Sequence, residues 1–182
     1  MSTRTKWIID PSHSEIGFSV KHLMITKVKG QFKEFDASIY TTGSDFLTAE
    51  VDFWMNPQSI ETGNADRDGH LRAADFFDTE NHKEITFRGN TFERVNDDSY
   101  EMYGDLTMKG ITKRIKVDVE FGGVMKDPWG NEKAGFTLHA KINRSDWGIS
   151  WNATLEAGGL LVSDEVRIAC DVQLMKSNEE TV

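Results

Sequence analysis

The chain has 182 residues, 38% of them hydrophobic and 28% charged, which bounds it to one globular domain, residues 1–182, large enough to bury a substantial core. Its 30 acidic residues against 21 basic ones leave a net charge of -9, and that argues against a general nucleic-acid binder, whose affinity rests on clustered Lys and Arg. The N-terminal MSTRTKWIIDPSHS lacks the apolar run of a signal peptide, and no stretch approaches the ~18 apolar residues of a membrane span. The expectation is a cytoplasmic protein without membrane insertion.

A short strand over Lys6–Asp10 closes on Pro11, and Asp10-Pro11-Ser12-His13-Ser14 reads as a turn. Asp, His and Ser this close in sequence point to turn chemistry rather than to a catalytic triad. From Ser14 to Phe35 the side chains alternate with a period of two: Ile16, Phe18, Val20, His22 and Met24 on one face, Glu15, Gly17, Ser19 and Lys21 on the other. Ile25-Thr26-Lys27 interrupts, and a second strand leaves from Val28, so the segment is a hairpin with one apolar face. Phe35, Ala37 and Ile39 continue that face after a bulge expected near Lys33-Glu34. Thr42–Asp45 turns the chain, and Ala49, Val51, Phe53 and Met55 form the inner face of the next strand.

Residues 58–83 alone lack the period of two. They predict a short helical excursion capping one end of the sheet, with Leu71, Ala74 and Phe77 (or Ala73 and Phe76) turned inward. Strands then resume with Ile85 and Phe87, with Tyr100 to Met108, and with Ile115, Val117, Val119 and Phe121. After the Lys126–Asn131 turn come Ala134, Phe136, Leu138, Ala140 and Ile142. A loose connection over residues 144–162 leads to a last strand with Val166, Ile168, Cys170, Val172 and Leu174 inward. Cys170, the single cysteine, reads as a buried structural thiol.

About eight strands with one apolar face each, joined by short turns, describe an antiparallel meander whose greasy faces must meet as a sandwich or as a closed barrel. The barrel is preferred because it removes the exposed edges of so long a sheet. At about eight strands a barrel is either filled by its own side chains or left with room for one small ligand. Gly104, Ala37, Ala134 and Ala140 among larger Phe and Met suggest underfilled levels, and an oily slot selects apolar chains. Burying ~300 Å² of hydrocarbon yields roughly 7 kcal/mol before association costs.

The segments DPSHSEIGFSVKHLMITKVKGQF (10–32), DRDGHLRAADFFD (66–78), ITF (85–87), GDLTMKGITK (104–113), DPWGN (127–131) and RSDWGISWN (144–152) together resemble the YceI family. The resemblance runs in order along nearly the whole chain. It implies a lipocalin-like antiparallel eight-stranded β-barrel that binds polyisoprenoids or related amphiphiles lengthwise in its interior, without catalysis or cofactor, and often as a homodimer. It directs attention to the inward positions of the matched segments: Ile16, Phe18, Val20, His22 and Met24, then Leu71, Phe76 and Phe77, then Leu106, Met108, Trp147 and Trp151. The inner strand faces add Phe35, Phe53, Met102, Phe136 and Leu138 as candidate ligand contacts.

Other readings of particular residues stand beside this one. Asn64-x-Asp66-x-Asp68-Gly69 shadows a calcium loop, but Asp75 stands where a longer Glu is wanted, and polar helix-start chemistry accounts for it; no metal is expected. His22 on the oily face is the candidate general base for an isomerase or hydrolase, and a filled barrel would serve as a structural or interaction module. Lys21, Lys27, Lys29 and Lys33 form one basic patch and Lys109, Lys113, Arg114 and Lys116 another, either able to meet an anionic head group despite the overall charge. Trp54, expected outward, and Trp129, in a turn, offer a surface for a homodimer.

Overall fold

The structure, a computed structural model, describes residues 4–153 and 161–181, with side chains as far as Ser177. Eleven strands make one antiparallel sheet among these residues. They are β1 (Arg4–Ile9), β2 (Glu15–His22), β3 (Thr26–Phe32), β4 (Phe35–Thr42), β5 (Asp45–Met55), β6 (Ile60–Glu61), β7 (Ile85–Arg94), β8 (Ser99–Met108), β9 (Ile111–Lys126), β10 (Glu132–Asn143) and β11 (Glu165–Thr181). Eight of them close a ring in the order β1-β4-β5-β7-β8-β9-β10-β11, and β11 returns to β1. The alternating faces thus resolve as a barrel rather than a sandwich.

β11 is the hinge of this topology. One edge runs along β10 from Glu165 to Met175. Its other edge meets β2 at Arg167–Asp171 and then β1 at Leu174–Thr181. The chain therefore leaves β1, turns a corner and rejoins the same strand edge as β2. The DPSHS run fastens that corner. Asp10 accepts from the Ser12 N–H at 3.2 Å and the Ser12 hydroxyl at 2.8 Å, pairs with His13 Nδ1 at 2.9 Å, and takes Lys133 Nζ at 3.4 Å and Gln173 Nε2 at 3.3 Å from β10 and β11. Ser14 Oγ accepts from the Gln173 N–H at 3.0 Å. Burial pushes the Asp10 carboxyl up, but the bonds from His13, Ser12 and Lys133 outweigh it and hold its pKa down to about 2. Asp, Ser and His here serve the turn, as their spacing predicts.

Three expectations need correction. No bulge joins β3 to β4 at Lys33-Glu34. The sheet breaks there, because Lys33 and Glu34 bond instead to the segment ahead of β6, through Lys33 N–H to Ser59 C=O at 3.2 Å and Asn56 N–H to Glu34 C=O at 2.9 Å. β2 and β3 consequently stand outside the ring as a hairpin extending one rim. Met24 does not continue the inner face: Leu23 and Met24 form the hairpin turn at φ +55° and +63°, leaving Met24 58% exposed. In residues 58–83, the excursion contains a two-residue strand, β6, as well as the helix α1 (Ala65–Arg72), and Ala73 and Ala74 face solvent while Leu71, Phe76 and Phe77 turn inward.

The helix α1 carries no apolar stripe and is held by polar staples. Asn64 caps it by accepting from the Arg67 N–H at 3.0 Å. Asp68, 6% exposed, accepts from the Thr62 N–H at 2.9 Å, while Arg67 donates to Thr62 C=O at 2.6 Å and Arg72 donates to the Gln58 and Ile60 carbonyls at 2.8 and 3.1 Å. Below it two aromatic groups pack, Phe18–Phe32–Phe77 and His70–Phe76–Trp151. In the connection after β10, the buried Arg144 donates to the Ser163 and Ile149 carbonyls at 2.9 Å each, and Ser145 bonds Asp164. The middle of that connection, residues 154–160, lies outside the described residues.

Candidate functional site

Alternation gives every ring strand an inner face, and these faces do not meet at the centre. They enclose a chamber of about 180 Å³. β4 contributes Ala37 and Ile39, and β5 contributes Phe46, Ala49, Val51, Phe53 and Met55. β7 and β8 add Phe87, Phe92, Tyr100, Met102 and Leu106; β9 adds Ile115, Val117 and Val119. β10 and β11 supply Phe136, Leu138, Ala140, Ile168, Cys170, Val172 and Leu174, and Ile9 and Ile16 complete the wall. Among the described lining residues, only Tyr100, Cys170 and the thioethers of Met55 and Met102 bring heteroatoms. Burial pushes the Cys170 thiol up to about 11, so it stays protonated near neutrality and is no nucleophile.

Two of the four small inward residues behave as expected. Ala37 and Ala140 border the chamber. Gly104 leaves no gap, because a Cβ there would lie 2.6 Å from the Phe87 ring and 2.5 Å from the Arg88 carbonyl; the ring of Phe87 takes that space. Ala134 is fully buried in the cluster of Trp7, Phe46 and Leu174 instead.

Of the candidate contacts, Ile16, Phe53, Met102, Leu106, Phe136 and Leu138 converge on the chamber wall. Phe18, Leu71, Phe77 and Phe35 pack on the core outside that wall, and Met108 is buried in it toward one rim. Phe76 and Trp151 belong to the aromatic cap with His70. Trp147, 2% exposed, donates its indole N–H to the Leu106 carbonyl at 3.0 Å and closes the same rim. Val20 and His22 are only partly buried near the hairpin end, and Met24 is on its tip. His22 therefore has no place in the chamber, and the general-base reading loses its residue.

The calcium-like loop is spoken for as well. Asn64 is spent on the helix cap and Asp68 on Thr62, while Asp75 pairs with His70 at 3.1 Å. Among the described residues no three His, Cys, Asp or Glu side chains are grouped so as to hold a metal.

Reading by alternation missed Phe46, Phe92 and Ile9. Phe46 lies within a register shift of the β4–β5 pair, between Asp45 opposite Thr42 and Glu50 opposite Tyr40, and Phe92 follows one between Gly89 and Thr91 on the β7–β8 pair. A shift changes which face the residues at and beyond it take, so Phe92 falls opposite Met102 on the inner side. An apolar residue beside a turn, out of phase with its strand, was the available signal.

Fold and chamber together define a hollow antiparallel barrel with a hydrocarbon interior. The chain belongs to the YceI-like domain family, whose model matches residues 7–174. A UPF0312 protein of Staphylococcus epidermidis is 39% identical over 175 residues, covering 96% of this chain and 99% of that protein. A YceI protein of Campylobacter jejuni superposes with a TM-score of 0.70 at 32% identity, covering 87% of this chain and 90% of the other. At 15% identity, a polyisoprenoid binding domain from Saccharophagus degradans shares the fold with a TM-score of 0.73 over 94% of this chain and 98% of its own.

Proposed function

We propose that this protein binds and carries a long-chain amphiphile, an isoprenoid first of all, lengthwise in its barrel and without turnover. The observation that supports this most is the wall: 24 of the described residues line the chamber, none of them charged. Water in such a space has too few polar partners, and a hydrocarbon tail gains from every contact. The Saccharophagus domain, named for polyisoprenoid binding, has the same fold, and that likeness favours isoprenoids over other tails.

Size sets a condition. A chamber of 180 Å³ compares with an engineered cavity of about 150 Å³ that admits benzene, so a tail of several isoprene units must widen it. Met55 and Met102 on the wall are unbranched and can rotate aside at small cost. Loading thus selects slender, flexible chains over rigid ring systems. The same reading takes the carrier as cytoplasmic and as a homodimer through the outer face around Trp54.

Native mass spectrometry of freshly purified protein, followed by organic extraction, tests the reading, with geranylgeraniol as added probe. Bound prenyl lipid is expected. Ala49→Phe fills the chamber from a wall position that is 2% exposed. It is expected to weaken prenol binding about tenfold or more while the barrel stays folded. A wild-type protein that takes up no prenol, or a folded variant that binds as well as wild type, overturns it.

A further inference from the structure

The ring is complete as a topology, yet one of its seams is open along part of its length. β9 and β10 pair from Lys126↔Glu132 to Asp118↔His139 and no further. Both strands continue past that point. β9 stays hydrogen-bonded to β8 as far as Ile111, and β10 to β11 as far as Asn143. The wall therefore splits over residues 111–117 of β9 and 140–143 of β10. A groove of about 990 Å³ lies along the split. Ile115, Ala140 and Ile168 line both this groove and the inner chamber, so nothing thicker than that one layer of side chains separates the two.

The charges on the groove are out of character for the molecule. Among the described residues that line it are five cations, Lys113, Arg114, Lys116, Lys141 and Arg167, against three carboxylates, in a chain whose net charge is -9. Arg114, Lys116 and Arg167 are partly neutralised by Asp105, by Glu101 and Asp118, and by Glu165, at 3.5 to 4.0 Å. Lys113 and Lys141 have no ion-pair partner among the described residues. Lys113 is the telling one. It stands opposite Leu106, a chamber-lining residue, so it occupies the inner face of β9. It is nevertheless exposed, because β10 has already parted from β9 there. A cation thus sits on the inner lip of an opening whose floor is aliphatic.

The geometry points to a lateral portal that seats the anionic head group of the bound amphiphile, a phosphate or diphosphate, against Lys113 and Lys141 while the tail passes between β9 and β10 into the chamber. Lysine suits this task as a mobile point charge that can follow a head group through the slit. This inference rests on the lipid-binding reading and adds the chemistry of the head group.

The test compares geranylgeranyl diphosphate with geranylgeraniol, which share a tail, by titration of wild type and of the double variant Lys113→Glu/Lys141→Glu. The diphosphate is expected to lose about tenfold or more in affinity in the variant, and to weaken with salt in wild type, while the prenol changes by less than about twofold. Lys113→Gln, milder at an exposed site, is expected to move the diphosphate in the same direction by less. Equal losses for both probes, or no loss for the diphosphate, overturn the portal while leaving the chamber standing as a tail site. If wild type binds neither probe, the chamber reading fails and the portal goes with it.

Discussion

The two rims of the barrel are closed by different physics. At one, Trp7, Phe46, Phe121 and Phe136 interlock, with ring centroids 4.9 to 5.4 Å apart, and Trp7 is completely buried with its indole N–H on Thr41 Oγ1 at 3.0 Å. At the other, α1 and the turn after β10 are pinned by long side chains reaching to backbone carbonyls, Arg67, Arg72 and Arg144 among them. Apolar packing is undirected and shared among many atoms, so the first rim opens only when the barrel does. Staples can be released one at a time, so the second rim, although aromatics pack beneath it, is expected to open locally before the barrel does. The aromatic rim is a floor, the stapled rim a cover, and the split seam between β9 and β10 lies on the cover's side.

The sharpest blow to this contrast falls on the floor. Phe46 touches three of the other rings. Phe46→Ala is expected to cost about 3–5 kcal/mol, a cavity-forming loss felt by the whole molecule. Urea unfolding should show one cooperative transition at a much lower midpoint. A loss confined to local hydrogen exchange near the turn at Gly43 would mean that the floor is as separable as the cover.

A smaller and more local effect is expected at the cover. Asp68→Ala removes the acceptor for the Thr62 N–H from a site that is 6% exposed. It should cost about 1–3 kcal/mol. Hydrogen exchange should speed up in α1 and β6 and stay unchanged in β8, β10 and β11. If protection falls uniformly, cover and barrel unfold as one piece and the distinction between the rims fails.

The same contrast explains what could be read from the sequence. The floor and the wall obey period-two alternation, and inner faces such as Val51–Phe53–Met55 or Phe136–Leu138–Ala140 are visible residue by residue. Alternation carries no information about where register slips, and so Phe46 and Phe92 were lost at two bulges. The cover is written in another code. Asp68, Arg67 and Arg72 look like a charged surface helix, and nothing in their spacing says that their targets are the carbonyls and hydroxyl of residues 58–62. Five of the candidate contacts reached the chamber because they sit on ring strands, and Ile16 joins them at the start of β2, whereas Phe76, Trp147 and Trp151 lie in irregular segments and close a rim. The split seam left one mark in the sequence, a Lys at 113 in phase with the inner residues Ile115, Val117 and Val119, while Ala140 and Ile142 of β10 alternate on past the point where the strands part.

The corner at Asp10 belongs to neither rim, and it tests whether polar fastening acts on the barrel itself. Its carboxyl is held to a pKa of about 2 against an ordinary 3.8, so the folded state binds its proton less readily than the unfolded chain. A depressed pKa contributes stability that is fully present above the unfolded value and is lost as pH falls through the folded one. The window therefore runs from about pH 4 down to about pH 2. With the carboxylate partly open to solvent, the contribution at neutral pH is on the order of 1–2 kcal/mol. Asp10→Asn keeps the shape and an acceptor oxygen but discards the charge that His13 and Lys133 face. Urea midpoints of wild type and variant should differ near neutrality, draw together through that window and coincide below it. A gap that persists unchanged into strong acid would mean that the corner is held by the shape of the turn, with the carboxylate's charge contributing nothing.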